Sequence, residues 1–305
     1  MTGPCQVLVW GHYFCDLIYT GLSEFPTLGK EIYSSGFEIR PGGCFTTTLA
    51  LHRMGIGSRW ACDFGNDFFS QFVLTQARSE GLNEELFLVH GFPVRRITTV
   101  FSFPEDRAFT SFMDECVQTP VQESLTRLRP EWLLLPHLHF GPTAASIFTA
   151  AHQAGVKIFM DCQHTDQAID NPEVASAIRQ VDVFAPNLPE ALQLTNSSDP
   201  ELAATILSSL APLIVIKMGA LGALAQRDRQ VVHAPAIDVP VVDTTGAGDC
   251  FNVGFLYGLL HGFSLSDCLL SANICGGLST QGPGSSAVPV KKEFDRRFQP
   301  NRDQM

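Results

Sequence analysis

The segment Asp243-Thr244-Thr245-Gly246-Ala247-Gly248-Asp249 places a carboxylate directly after two glycines that flank one alanine. The apolar run Val239-Pro240-Val241-Val242 precedes it and Cys250 to Leu260 reads as a helix, so the expected order is strand, glycine turn, acid, helix. Glycines in such a turn let consecutive N–H groups point one way, and the positive end of the following helix adds to their field. The product is an anion cradle, and it suits a phosphate. Asp249 falls in the first helical turn, where the dipole favours its ionised form. A negative charge beside an anion cradle is an electrostatic oddity unless it acts. The act that fits is general-base removal of a proton from a substrate hydroxyl while the amides of Gly246, Ala247 and Gly248 hold the phosphoryl group. The competing reading is a tight turn followed by an ordinary acid at a helix N-terminus.

Other segments carry weaker signals. Asn187-Leu188-Pro189-Glu190 opens a helix after the strand Val183 to Ala185. It reads either as an N-cap with its capping-box partner or as a phosphate contact with an acid that orders the water shell of Mg2+. Lys217-Met218-Gly219-Ala220-Leu221-Gly222 follows the strand Leu213 to Lys217 and is either a plain hairpin turn or a backbone low enough for a nucleotide to lie on. Arg40-Pro41-Gly42-Gly43 precedes a helix carrying Thr46 and Arg53. Asp16, just beyond the first strand, stands where a loop carboxylate accepts hydrogen bonds from sugar hydroxyls, and His137 and His139 follow another strand end, either to contact substrate in the same expected cleft or to pack or face solvent.

The elements that must position these groups alternate along the chain. Strands at 6–10, 58–63, 132–135, 157–161, 183–185 and 213–217 alternate with helices at 46–54, 67–80, 144–154 and 174–180, glycines closing several of them. That rhythm predicts an α/β fold: a mostly parallel sheet covered by helices on both faces. Two stretches, 18–40 and 95–113, instead alternate apolar and polar residues around turn signals such as Pro104-Glu105-Asp106, and read as antiparallel strands. A small sheet made from them would form a lid over the C-terminal ends of the parallel strands. Phe101, Phe103, Phe109 and Phe112 are expected to form its apolar face, unless one of them stacks on a ligand ring.

The chain has 305 residues, 45% hydrophobic and 17% charged, enough for a substantial core without disordered domains. It contains no repeats and no low-complexity linker, so residues 1–305 read as one domain. With 31 acidic against 20 basic residues the formal charge is -11, and no basic block occurs. Nucleic acid and anionic membrane are thereby excluded as partners, and any phosphate site must be local. The nine cysteines stand singly with no C-x-x-C pair, as expected of small buried hydrophobes in a reducing compartment without metal or disulfide roles. No leader-like N-terminus or long apolar span is evident, which predicts a cytoplasmic protein. No G-x-G-x-x-G follows the first strand and no G-x-x-x-x-G-K-[ST] occurs, which argues against a dehydrogenase and a P-loop kinase.

In order and together, these segments resemble the ribokinase-like (PfkB) family of carbohydrate and nucleoside kinases across nearly the whole chain. The glycine turn with Asp249 matches the family's second signature, Asn187-x-x-Glu190 and Lys217-x-Gly219-x-x-Gly222 fall at the expected distances upstream, and Gly42-Gly43 with Arg53-Met54-Gly55 match the looser first signature. The resemblance implies a three-layer α/β/α core with a β lid, ATP as phosphoryl donor, Mg2+, and a hydroxyl of a small sugar-like acceptor. Asp249 is then the base and Gly246, Ala247 and Gly248 the anion hole. Asp16, Gly42, Gly43 and Thr46 line the acceptor pocket; Asn187, Glu190, Lys217, Gly219, Gly222 and Asn273 serve the nucleotide and its metal. Asp243 and Thr245 match part of a potassium site, and relatives that pair through the lid suggest a homodimer. Where many members carry a substrate-touching asparagine, this chain has Thr46, which satisfies fewer hydroxyls and points to a different acceptor. A nucleoside kinase and a catalytically silent sugar- or nucleotide-binding relative are the alternatives.

Overall fold

The computed structural model describes residues 4–103, 107–116, 118–163 and 165–299. Nine strands form the central sheet in the order Gln230–Ala234, Ala223–Arg227, Leu213–Lys217, Val183–Ala185, Lys157–Asp161, Trp132–Leu135, Val7–Trp10, Ser58–Phe64, Phe87–Val89. The strands from Leu213–Lys217 to Phe87–Val89 pair in parallel, while Ala223–Arg227 and Gln230–Ala234 add an antiparallel hairpin at one edge. The central strands are nearly continuous apolar runs because both of their faces are covered. Val7 and Val9 point into one core with Leu49, Val73, Phe255 and Leu269 from helices on that side. Leu8 and Trp10 point into the other with Leu125, Ile147, Val174 and Leu207. This period-two split of one strand between two cores produces the three layers.

A second sheet has the order Gly36–Gly43, Tyr13–Thr20, Arg96–Ser102, Arg107–Met113. It forms the lid, with two corrections. Its central pair, Tyr13–Thr20 with Arg96–Ser102, is parallel rather than antiparallel, with Asp16 opposite Thr98. Alternating polarity reports which face a side chain takes and is the same for either direction of pairing. The first lid strand also begins at Tyr13, five residues before the expected segment, so Asp16 lies within a strand and not in a loop. The expected turn at 104–106 lies outside the described residues.

The phenylalanines divide between the lid's faces. Val100 and Phe109 sit opposite each other and line a pocket, whereas Phe101 packs against Tyr19 and Phe25. Phe103 also contacts Phe25, and Phe112 lies under the Arg95 guanidinium. No helix among the described residues is long and apolar enough to cross a membrane.

Candidate active site

The C-terminal ends of the parallel strands carry Asp161, Asn187 and Lys217, and the glycine turn stands over them. The expected strand at 239–242 does not form: Pro240 has no N–H to give, and the segment instead forms the wall of a cleft. The N–H groups of Val242 and Asp243 both donate to Thr280 O, at 2.8 and 3.1 Å, which fixes the approach to the turn. Gly246, at φ 77°, then enters the helix Ala247–Leu260, which begins three residues earlier than expected and puts Asp249 in its first turn. A Cβ on Gly246 would meet Thr46 Cγ2 at 2.9 Å, so both conformation and space require glycine there. The Ala247 N–H donates to Thr244 O at 3.2 Å. The N–H groups of Gly246, Gly248 and Asp249 have no protein acceptor among the described residues. The free amides of the turn are thus those of Gly246, Gly248 and Asp249, with Ala247 holding the turn closed.

Two cavities meet at this turn. One, of about 640 Å³, is lined by Lys217, Gly219, Gly222, Val239, Val241, Phe251 and Asn273, with Thr244, Ala247 and Gly248 at its end. Gly222 has φ 88° and its Cβ would lie 2.1 Å from Ala234 O, while Asn273 Nδ2 donates to Ala234 O and Pro235 O and pins the opposite wall. The other cavity, of about 440 Å³, is lined by Asp16, Gly42, Gly43, Thr46, Thr98, Phe109, Ser111 and Gln163, with Thr245, Gly246, Asp249 and Ser285. Gly42 lies against Asp16, whose Oδ2 would be 2.1 Å from a Cβ at that position.

Asp249 Oδ1 accepts from Thr47 Oγ1 at 2.8 Å. Burial pushes its pKa up to about 6, with Asp161 also raising it while the Thr47 hydroxyl and the Lys217 ammonium pull it down. At neutral pH it is therefore mostly ionised but basic enough to take a proton. Asp16 is pushed further, to about 7, by burial and then by Asp249 and Asp243.

Lys217 Nζ lies 2.6 and 2.7 Å from the two oxygens of Asp161, whose Oδ2 also accepts from Asn252 Nδ2 at 2.5 Å. A Cβ on Gly248 would come within 3.6 Å of the same ammonium, so Lys217 places positive charge beside the cradle. Asp161, Asn252 and Thr47 escaped the sequence reading. An acid closing the apolar strand Lys157–Asp161 was the available signal, because ligands gather at those strand ends.

Three comparisons bear on what this arrangement is. The model for the pfkB family carbohydrate kinases matches residues 134–292. Ribokinase of Lactococcus lactis is 32% identical, with 92% of each chain aligned. The chain belongs to the pfkB family of carbohydrate kinases. The 2-dehydro-3-deoxygluconokinase of Bacillus subtilis is 24% identical over 90% of this chain and 89% of its own. The structure of Arabidopsis thaliana ribokinase complexed with ribose and ATP superposes with a TM-score of 0.80 at 18% identity, covering 98% of this chain and 100% of that one. That last likeness establishes the fold, a three-layer pfkB core with its lid.

As a pfkB kinase the protein is expected to use ATP and Mg2+. The apolar, glycine-floored cleft fits a nucleotide, since a Cβ built on Gly219 has nothing within 4 Å and the cavity runs along Gly219 and Gly222. Asn187 and Glu190 form a full capping box: Glu190 N–H donates to Asn187 Oδ1 at 2.9 Å, and Glu190 accepts from Asn187 N and Nδ2 at 2.8 and 2.7 Å. They do not line the cleft, but Asn187 bridges to Lys217, which does. The partly exposed Glu190 carboxylate is an oxygen ligand of the kind Mg2+ takes, and it fits contact through the ion's waters.

Asp243 accepts from Thr245 N and Oγ1 and from Gly284 N, and Arg107 Nη1 of the lid donates to Thr245 Oγ1 at 2.9 Å and lies 3.6 Å from Asp243. These residues are tied to protein partners. His137 and His139 line neither cavity. They pack on each other at 3.9 Å and His139 on Trp10 at 4.9 Å, and burial holds both neutral, His137 down to about 4.

Proposed function

We propose that this pfkB kinase transfers the γ-phosphate of ATP to a hydroxyl of a small sugar, sugar acid or similar polyol, with Asp249 as general base. The observation that carries this is the position of the 244–249 turn between two cavities: Thr244, Ala247 and Gly248 face the apolar cleft, and Thr245, Gly246 and Asp249 face the polar pocket. An acceptor hydroxyl in the polar pocket meets a carboxylate oriented by Thr47. The phosphoryl group is received at the free amides of Gly246, Gly248 and Asp249, and Lys217 adds charge stabilisation from the cleft side. Glu190 would hold Mg2+ through water, and the ion would there neutralise charge on the nucleotide phosphates. Asp16, Thr46, Thr98, Ser111 and Gln163 offer hydrogen bonds to the acceptor's remaining hydroxyls beside the apolar Phe14, Val100 and Phe109, a mixed lining suited to a sugar-like ring.

An ADP-release assay over a panel of pentoses, hexoses, ketoses, sugar acids and nucleosides tests the reading. Turnover confined to the polyols supports it, turnover confined to nucleosides replaces the acceptor class, and no turnover with any acceptor removes it.

We also read the lid's outer face as the contact for a second copy, since Tyr19, Phe37, Phe101 and Phe112 share that face and Phe37 and Phe112 are 51% and 50% exposed. Light scattering that gives a monomer at assay concentration removes that reading.

A further inference from the structure

Away from both cavities, at the base of the lid, Asp63, His90 and Cys116 converge, with one donor atom from each within 4.8 Å of the others. They come from three separate segments. Asp63 belongs to the core strand Ser58–Phe64, His90 lies on the chain entering the lid strand Arg96–Ser102, and Cys116 on the chain leaving Arg107–Met113. His90 Nε2 is the shared point, 2.8 Å from Asp63 Oδ1 and 4.0 Å from Cys116 Sγ. Asp63 is fully buried and held in place by Thr119, whose N–H and Oγ1 donate to its two oxygens at 2.9 and 2.6 Å. The Phe92 ring stacks beside His90 at 4.7 Å and limits its rotation. His90 and Cys116 are each half-buried, so the point of convergence is reachable from solvent.

From this arrangement the geometry points to a site for a thiophilic divalent cation of the zinc class, separate from the nucleotide's Mg2+. An imidazole nitrogen, a carboxylate oxygen and a thiolate are the donor set of Zn2+ or Co2+ and not of Mg2+, which takes oxygen ligands and keeps its waters. Three protein donors leave the fourth tetrahedral position to solvent. The outer-shell bonds from Thr119 orient the carboxylate as such sites require. On binding, the Cys116 S–H proton leaves to solvent, and the Nε2–H bond to Asp63 gives way to a neutral imidazole that ligates through Nε2 and keeps its proton on Nδ1. The cation would then fasten both ends of the lid's strand pair to the core. Nothing in the sequence spacing announces such a site, because its ligands meet only through the fold.

The test uses the full chain, stripped with EDTA and desalted, and titrated with CoCl2 as probe. A thiolate-to-cobalt charge-transfer band with tetrahedral d–d absorption is expected, saturating at one equivalent, collapsed by ZnCl2 and unaffected by a large excess of MgCl2. Cys116→Ser should abolish the charge-transfer band, whereas Cys5→Ser, at another half-buried thiol, should retain it. His90→Gln should weaken cobalt binding by more than about 100-fold, beyond what loss of an outer-shell partner causes. Absence of the band in the unaltered protein, its survival in Cys116→Ser, or displacement of cobalt by Mg2+ would each overturn the assignment.

Discussion

On one side of the glycine turn the wall is glycine, valine and backbone carbonyl, with Asn273 holding the chain in place; on the other, Asp16, Thr46, Thr98, Ser111 and Gln163 crowd polar side chains around a carboxylate. The first cavity recognises by backbone and shape. It can be written in a short motif, since few residue types let the chain adopt φ 77° at Gly246 or 88° at Gly222. The second recognises by side chains drawn from the lid and the core, and its chemistry changes with each substitution. Under the proposed function, the donor side can therefore stay constant while the acceptor side varies. Arg107 reaches from the lid to Thr245 and fastens the lid to the glycine turn.

The largest effect should come where the two sides meet. Asp249→Asn keeps the shape and the Thr47 contact but cannot take the proton, so kcat should fall by about 10²–10⁴ while ATP affinity, read by calorimetry, stays within a few-fold. Turnover near the unaltered rate would remove Asp249 from its role. Gly246→Ala should follow, with a loss of roughly 10²–10³ in kcat, because the methyl group meets Thr46 and the strained turn turns an amide away from the phosphoryl group. Gly222→Ala should act on one side only, raising the KM for ATP and leaving the acceptor KM unchanged. A rise in both constants would show that the two cavities are not independent.

The contrast also explains what the sequence made legible. The glycine turn, the capping box at Asn187 and the Lys217 segment are contiguous, and their chemistry could be read from residue order alone. Asp161, which holds Lys217, and Asn252, which donates to Asp161, are 91 positions apart and meet only through the fold. Thr47, one residue beyond the expected Thr46, became significant when its hydroxyl proved to reach Asp249. Lid strand direction was hidden because alternation carries no sign, and the apolar run at 239–242 suggested a strand because a cleft wall and a buried strand use the same residues. His137 and His139 lie at a strand end, where ligands bind, yet turn into packing against Trp10.

Within the polar pocket, Thr47→Val sharpens the comparison by pH. The Thr47 hydroxyl stabilises the ionised form of Asp249 and lowers its pKa. In the unaltered protein the rate should fall as pH drops through about 6, because protonation removes the base. Without the hydroxyl that acid limb should move to higher pH, with a loss of roughly tenfold in kcat at pH 7. A limb that stays in place would mean that another group sets it.

The smallest effect is one of stability. The Asp16 carboxylate is 5% exposed and has no hydrogen-bond partner among the described residues. Its folded pKa of about 7 stands above the ordinary 3.8, so between those values the folded protein holds a proton that the unfolded chain has released. Unfolding then releases that proton, and the Asp16 contribution to stability declines as pH rises through this window, levelling off above about 7. Asp16→Asn removes the buried charge without breaking a bond. It should raise the melting temperature by roughly 1–3 °C at pH 8 and leave it nearly unchanged at pH 4, while weakening acceptor binding. An equal gain at both pH values would trace the effect to packing, and no gain at pH 8 would mean that the carboxylate is already compensated. The acceptor pocket would then owe its polarity to ordinary folding and not to a ligand it is built to receive.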